Sequence, residues 1–231
     1  MEKKIAILQS NYIPWRGYFD IMNSVDEFIF YDEVQYTKND WRNRNKILTN
    51  HGSKWLTLPV RLKTLSQLIK DTKIEDKLWS KKHWDTIKQN YSKAKYFNKY
   101  KEIFEILYLD SNDKFLSEIN YKFIKTINKI LGIKTKLRWS SEFDKVLDGQ
   151  NERLIEICKK CDVNIYFTGP SGKNYLNEKV FNDNNIKIEW MNYNNYPNYN
   201  QLFKPNDYNV SILDLIFNEG DQATNYMLSF N

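Results

Sequence analysis

The chain has 231 residues, with 35 Lys and Arg against 29 Asp and Glu, a formal charge of +6, two histidines and two cysteines. A hydrophobic share of 41%, including 16% aromatic residues, excludes a disordered chain, because aromatic rings bury enough area to close one sizeable core. No run of about 18 apolar residues could span a bilayer and the first apolar stretch is too short for a secretory signal, so a soluble cytoplasmic protein without membrane insertion is expected.

In chain order, "KKIAIL" (3–8) predicts a buried first strand, residues 17–26 a short helix, and "DEFIFYDEVQY" (26–36) a second strand rich in aromatic and branched residues. "KWLTLPV" (54–60) predicts a third strand. Between Lys77 and Leu131 the apolar residues recur at helical spacing, which predicts three helices ended by Gly132. After that come a strand over 133–143, a helix over 151–161 with Asn151 near its cap, and a strand over 163–170. A helix over 174–185 and a strand over 186–193 follow. Residues 194–208 are polar and Pro-punctuated, which predicts an ordered loop, and 209–220 predicts a last helix opened by Ser211 with Asp214 three residues on. The expected fold is a single α/β domain over 1–231, a central mostly parallel Rossmann-like sheet with a helical insertion at about 75–131.

Three polar clusters fall in predicted strand-end loops, where α/β sheets bind ligands. The first holds Gln9, Asn11, Tyr12, Trp15, Tyr18 and Asp20. The second holds Asp32, Glu33, Gln35, Lys38, Asp40, Trp41, Arg42, Asn43, Arg44 and Asn45. Arg44 offers a planar fork for phosphate, and Asn43 and Asn45 can read hydroxyls. The third, Gly169, Pro170, Ser171, Gly172 and Lys173, resembles a turn with backbone N–H groups for an anion, although it lacks the spacing of a Walker loop. Tyr175 follows it. His83 and Asp32 are the candidate proton acceptors. Cys158 and Cys161 form a CxxC pair without a second Cys or His pair to complete a zinc site, and they are expected to be a buried helix face. No metal and no cofactor are expected.

The runs "QSNYIPWRGYFD", "YDEVQYTKNDWRNRNKI", "KWLTLPV", "TGPSGKNYL" and "YNQLFKPNDYNVSILDLIFNEG" together resemble, in order and over about residues 4–220, the WbqC-like protein family of bacterial surface-polysaccharide gene clusters. The resemblance implies a transferase of glycan assembly. It also carries over recurrent positions at Gln9, Asn11, Tyr12, Trp15, Tyr18, Asp32, Gln35, Trp41, Asn43, Arg44, Asn45, His83, Gly169, Tyr175, Tyr199, Gln201, Ser211, Asp214 and Asn218. The family often opens its first motif with His-Gln-Pro, where this chain has Leu8-Gln9-Ser10, so an imidazole, if needed, falls to His83. The implied partners are a nucleotide-linked sugar and a small acyl or aminoacyl donor, with no nucleic acid. The alternatives are a nucleotidyltransferase-like enzyme, against which Tyr18 stands where those enzymes place a histidine, and a non-catalytic sugar- or nucleic-acid-binding module.

Overall fold

The computed structural model describes residues 2–110, 112–143 and 149–230. Strand β1 (Lys4–Leu8) leads through helix α1 (Arg16–Asn23) to β2 (Glu27–Phe30), which pairs with β1 in parallel. The chain then makes a long excursion. It builds an antiparallel hairpin, β3 (Arg44–Thr49) with β4 (Gly52–Thr57), and a short ribbon of β5 (Val60–Arg61) with β6 (Lys73–Ile74). Helices α2 (Leu78–Tyr91), α3 (Phe97–Leu109) and α4 (Leu116–Leu131) follow before β7 (Lys136–Trp139) returns beside β2. Helix α5 (Gln150–Lys160) carries the chain to β8 (Ile165–Thr168) on the other side of β1, and α6 (Glu178–Asp183) leads to β9 (Lys187–Trp190). Helix α7 (Ile212–Glu219) closes the chain with a 3-10 stretch.

The five central strands are all parallel, in the order β7-β2-β1-β8-β9, which is a Rossmann-like α/β arrangement. The chain grows outward from β1 in one direction and then in the other, so the order reverses between β1 and β8. At such a reversal the loops beyond the carboxyl ends of the strands part and leave a crevice.

Alternation along the strands assigns the two faces. Ala6, Phe28 and Phe30 point into a core shared with α1, α2, α3, α4 and α7, whereas Ile5, Ile7 and Ile29 pack with Leu154, Ile157, Cys158 and Phe181 under α5 and α6. The inserted helices therefore share the hydrophobic core of the first face. Cys158 and Cys161 are buried, free thiols on the second face, and burial pushes both above the usual thiol range.

Several boundaries differ from the sequence expectations for local reasons. Strand β2 stops at Phe30, and just beyond it the Asp32 carboxylate accepts the Ser10 backbone N–H. The segment over 54–60 is no strand of the main sheet; its partner is β3, which pattern reading did not predict. Asn151 lies inside α5, where its side-chain oxygen accepts the Asn177 backbone N–H, and the cap position is Gly149. Gly132 does end α4, in the left-handed region at φ 75°, which favours glycine.

Asp214 does not serve the start of α7, where the Ser211 hydroxyl accepts the Leu213 N–H. Its buried carboxylate instead accepts the hydroxyls of Tyr91 and Tyr199 at 2.8 Å each and the Gln201 amide at 2.7 Å. Burial raises its proton affinity, and those three bonds with Asn218 oppose the rise. This knot joins α2, α7 and the loop before α7. Asp214→Ala should lower stability by about 3 kcal/mol in urea unfolding, because two buried tyrosine hydroxyls lose their acceptor.

Candidate functional site

Loop positions at the crevice are set by a chain of buried hydrogen bonds. Asp32, just past β2, accepts the Ser10 backbone N–H at 2.8 Å and the Ser10 hydroxyl at 2.7 Å. Asn120 of α4 donates to that hydroxyl at 3.0 Å and to the Arg42 carbonyl at 2.9 Å. Tyr12 N–H meets the Trp41 carbonyl at 3.0 Å. The loop after β1 and the loop before β3 are thus pinned to each other and to the helical insertion. Desolvation raises the Asp32 pKa, against the hydrogen bonds from Ser10. With 1% exposure, Asp32 is a strut of the site, out of reach of solvent.

The strut presents one cation. Arg42 Nη2 donates to Gln9 Oε1 and Nη1 to Asn11 Oδ1, both at 2.6 Å, with Asp40 Oδ2 farther away at 3.6 Å. Both hydrogen-bond acceptors are neutral amides, so the guanidinium is oriented by groups that carry no charge, and Asp40 forms only a looser ion pair with it. Beneath it, the Tyr18 hydroxyl donates to the Gln9 carbonyl at 3.0 Å.

Each acceptor of the fork lines a cavity, although Arg42 itself lines neither. One, of about 320 Å3, opens at the β1–β8 reversal and is lined by Gln9, Tyr31, Gln150, Arg153, Tyr166 and Tyr175 over an aliphatic floor. The other, of about 280 Å3, is lined by Asn11, Pro14, Trp15, Trp41, Asn45 and Asn209. Gln9 belongs to the first and Asn11 to the second, and Arg42 grips both. Each cavity has the size of a small-molecule subsite.

Of the residues that sequence reading singled out, Gln9 and Tyr175 line the first cavity and Asn11, Trp15 and Trp41 the second, Arg42 bonds Gln9 and Asn11, and Tyr18 and Asp32 hold the loop after β1. Others have structural partners. Asn45 is fully engaged: its amide donates to the Tyr12 and Ile13 carbonyls and its oxygen accepts the Lys46 N–H, which holds Ile13 at a positive φ of 38°. Asn43 is buried on the Leu58 carbonyl, and Gln35 reaches the Leu65 carbonyl. Arg44 lies over the Trp55 ring at 4.3 Å and donates to the Asn39 carbonyl. Lys38 and Ser171 are exposed, and Gly169 sits under the Tyr193 hydroxyl. The 169–174 segment is a 3-10 turn whose Gly172 N–H bonds Gly169.

His83 lies inside an aromatic box. Its Nδ1 is 2.9 Å from the Tyr12 hydroxyl, which is 2.9 Å from the Tyr108 hydroxyl, with Trp79 and Phe123 packed edge-on to Tyr12. Burial lowers the His83 pKa to about 4 against a hydrogen bond to the Thr57 backbone. The ring is therefore neutral at physiological pH and lines neither cavity. Pattern reading put Arg42 in the second cluster but gave the phosphate to Arg44, and it passed over Tyr31, Arg153 and Asn209, which line the cavities.

Comparison with known proteins gives two matches and one blank. The family described as the WbqC-like protein family matches residues 9–226. A Mycobacterium tuberculosis (strain ATCC 25618 / H37Rv) protein, named only as uncharacterized protein Rv1507c, is 43% identical over 226 residues, covering 97% of this chain and 97% of that one. No solved structure shows significant similarity to the chain.

The box makes a pH prediction with a fixed sign. Because the folded pKa of His83 is below its unfolded value of 6.5, protons bind the unfolded chain preferentially between about pH 6.5 and 4. The contribution is complete above pH 6.5 and is lost as the pH falls. In urea unfolding, the gap in stability between the wild type and His83→Gln should shrink by about 2 kcal/mol from pH 7 to pH 4.5.

Proposed function

The chain belongs to the WbqC-like protein family, and from that premise we propose that it is a transferase of bacterial surface-glycan assembly, of O-antigen type, that modifies a nucleotide-linked sugar by N-acyl or aminoacyl transfer to an amino sugar. The observation that carries this reading is the Arg42 guanidinium, held by the amides of Gln9 and Asn11, each of which lines a separate cavity. A nucleotide sugar has that shape: two ring systems joined by an anionic diphosphate. Arg42 takes the diphosphate through the N–H groups that Gln9 and Asn11 leave open, and a planar fork matches phosphate oxygens.

The amine of the sugar forms the new C–N bond to the acyl carbon as the bond from that carbon to its leaving group breaks, and the proton shed by nitrogen ends on the departing group. The chain holds the reactants together, which by itself removes much of the entropic barrier. His83 and Asp32 act in this reading as positioning residues, because each is buried and bonded to the loop after β1. Adenylyl transfer is less well supported. The Tyr18 hydroxyl is committed to the Gln9 carbonyl and brings no positive charge to a triphosphate.

Isothermal calorimetry with a panel of nucleotide sugars tests the anchor. Arg42→Ala should weaken binding roughly 30-fold, about 2 kcal/mol, and Arg42→Lys should recover only part because it lacks the fork. Unchanged affinity in Arg42→Ala removes the reading. Incubation of the bound sugar with acyl and aminoacyl donors, read by mass spectrometry, should give the acylated product; tight binding with no mass change marks a sugar-binding module instead.

A further inference from the structure

The two cavities differ in chemistry, and the difference orients the ligand. The cavity beside Asn11 is walled by Pro14, Trp15 and Trp41, with no charged side chain in its lining. Its free hydrogen-bonding capacity rests on the Asn209 side chain and the Asn11 amide nitrogen. Asn45 spends both ends of its amide on the backbone, and Asn11 gives its oxygen to Arg42. A pyranose presents hydroxyls around its whole rim, and several would be buried there without a partner, each at a cost comparable to a lost hydrogen bond. A flat heteroaromatic ring asks for two apolar faces and a few contacts along one edge.

The hairpin supplies such a face. Trp41 is 44% exposed and rests against Trp55, with ring centroids 5.5 Å apart. Trp55 in turn lies under the Arg44 guanidinium at 4.3 Å, and the Lys46 ammonium stands 5.2 Å from the same ring. Lys46 and Trp55 are cross-strand partners, so the hairpin register fixes this pile. Among the described residues neither Arg44 nor Lys46 is paired with a carboxylate. An indole stiffened from behind and facing a cavity is a stacking platform, and the nearby unpaired cations suit an anionic ligand.

The other cavity has the opposite character. Arg153, Gln150 and the hydroxyls of Tyr31 and Tyr175 line it, and although Gln9 Oε1 is held by Arg42 and the Tyr166 hydroxyl donates to the Ile7 carbonyl, the remaining polar groups can meet hydroxyls from more than one side.

Resting on the transferase reading above, we propose that the nucleobase stacks in the Trp15–Trp41 cavity on the Trp41–Trp55 platform, and that the sugar lies across Arg42 in the tyrosine-lined cavity at the β1–β8 reversal. The amino group to be modified is then presented at the reversal, and the hairpin selects the nucleotide.

Titration calorimetry with three probes separates this from the reading it rests on: the tightest-binding nucleoside diphosphate among UDP, dTDP, CDP, GDP and ADP, its N-acetylglucosamine conjugate, and N-acetylglucosamine 1-phosphate. Trp41→Ala should weaken the diphosphate and the conjugate about tenfold and leave the sugar phosphate unchanged. Tyr175→Phe should weaken the conjugate and the sugar phosphate and leave the diphosphate unchanged. Both residues are more than two-fifths exposed, and matching thermal melts establish that the variants fold. The reverse pattern, or nucleoside diphosphate binding that needs Arg42 but ignores Trp41, overturns the orientation and leaves the transferase reading standing. Failure of every probe, or indifference to Arg42→Ala, overturns both.

Discussion

A guanidinium gripped by two neutral amide oxygens is the interaction on which the site depends. Partly withdrawing Arg42 from water is unfavourable unless its N–H groups are met, and Gln9 and Asn11 meet two of them at 2.6 Å without cancelling the charge. A carboxylate at that distance would have stabilised the arginine more and left less for a ligand. Asp40 stands at 3.6 Å, beyond hydrogen-bond length. The arrangement holds only while the loops carrying Gln9, Asn11 and Arg42 keep their spacing. That spacing is the work of Asp32, Ser10 and Asn120, which bond to one another and to the Arg42 carbonyl out of solvent.

The helical insertion therefore has two tasks. It covers one face of the sheet, contributing Trp84, Ile87, Phe104, Phe123 and Ile127 to the larger core. It also reaches into the site, with Asn120 on α4 bonded to both loops and His83 on α2 bonded to Tyr12. A shift of these helices would be felt at Arg42 through hydrogen bonds of fixed length, so the stability of the insertion and the geometry of the site are coupled.

What the sequence disclosed follows from how local each signal is. The strand–helix–strand opening, the three inserted helices and the stop at Gly132 were legible because period and backbone preference act within a few residues. That Gln9 and Tyr175, and Asn11, Trp15 and Trp41, would lie in loops at strand ends was legible, whereas their division between two cavities was not. Arg42 was not preferred over Arg44, because the choice depends on the face of an unpredicted strand. With Asn43, Asn45 and Ile47 turned inward, Arg44 and Lys46 fall on the outer face, and Arg42, just before β3, falls at the loop. His83 read as a proton acceptor because composition cannot show that Tyr12, Trp79 and Tyr108 close around it. Asp214 likewise read as part of a helix start, while its three partners lie 123, 15 and 13 residues away.

The site also departs from the usual solution of its fold. In nucleotide-binding α/β sheets the first loop is rich in glycine and delivers the ligand's phosphate to the start of the first helix. Here the β1–α1 loop carries Pro14 and Trp15, and the indole lies so close over Gly17 that a Cβ there would approach it to 2.4 Å. The first turn of α1 is covered by a side chain, and the Pro14 carbonyl is bonded to Ile212 of α7. In the proposed function, the positive charge that a helix terminus would have offered comes instead from Arg42, on the loop before the hairpin. A terminus supplies about half a charge in a fixed direction. A guanidinium supplies a full one with a planar set of donors, on a segment whose sequence is free of the demands of the sheet. On the proposed reading, that separation lets the same five-stranded frame keep its crevice at the β1–β8 reversal while the hairpin determines what the crevice accepts.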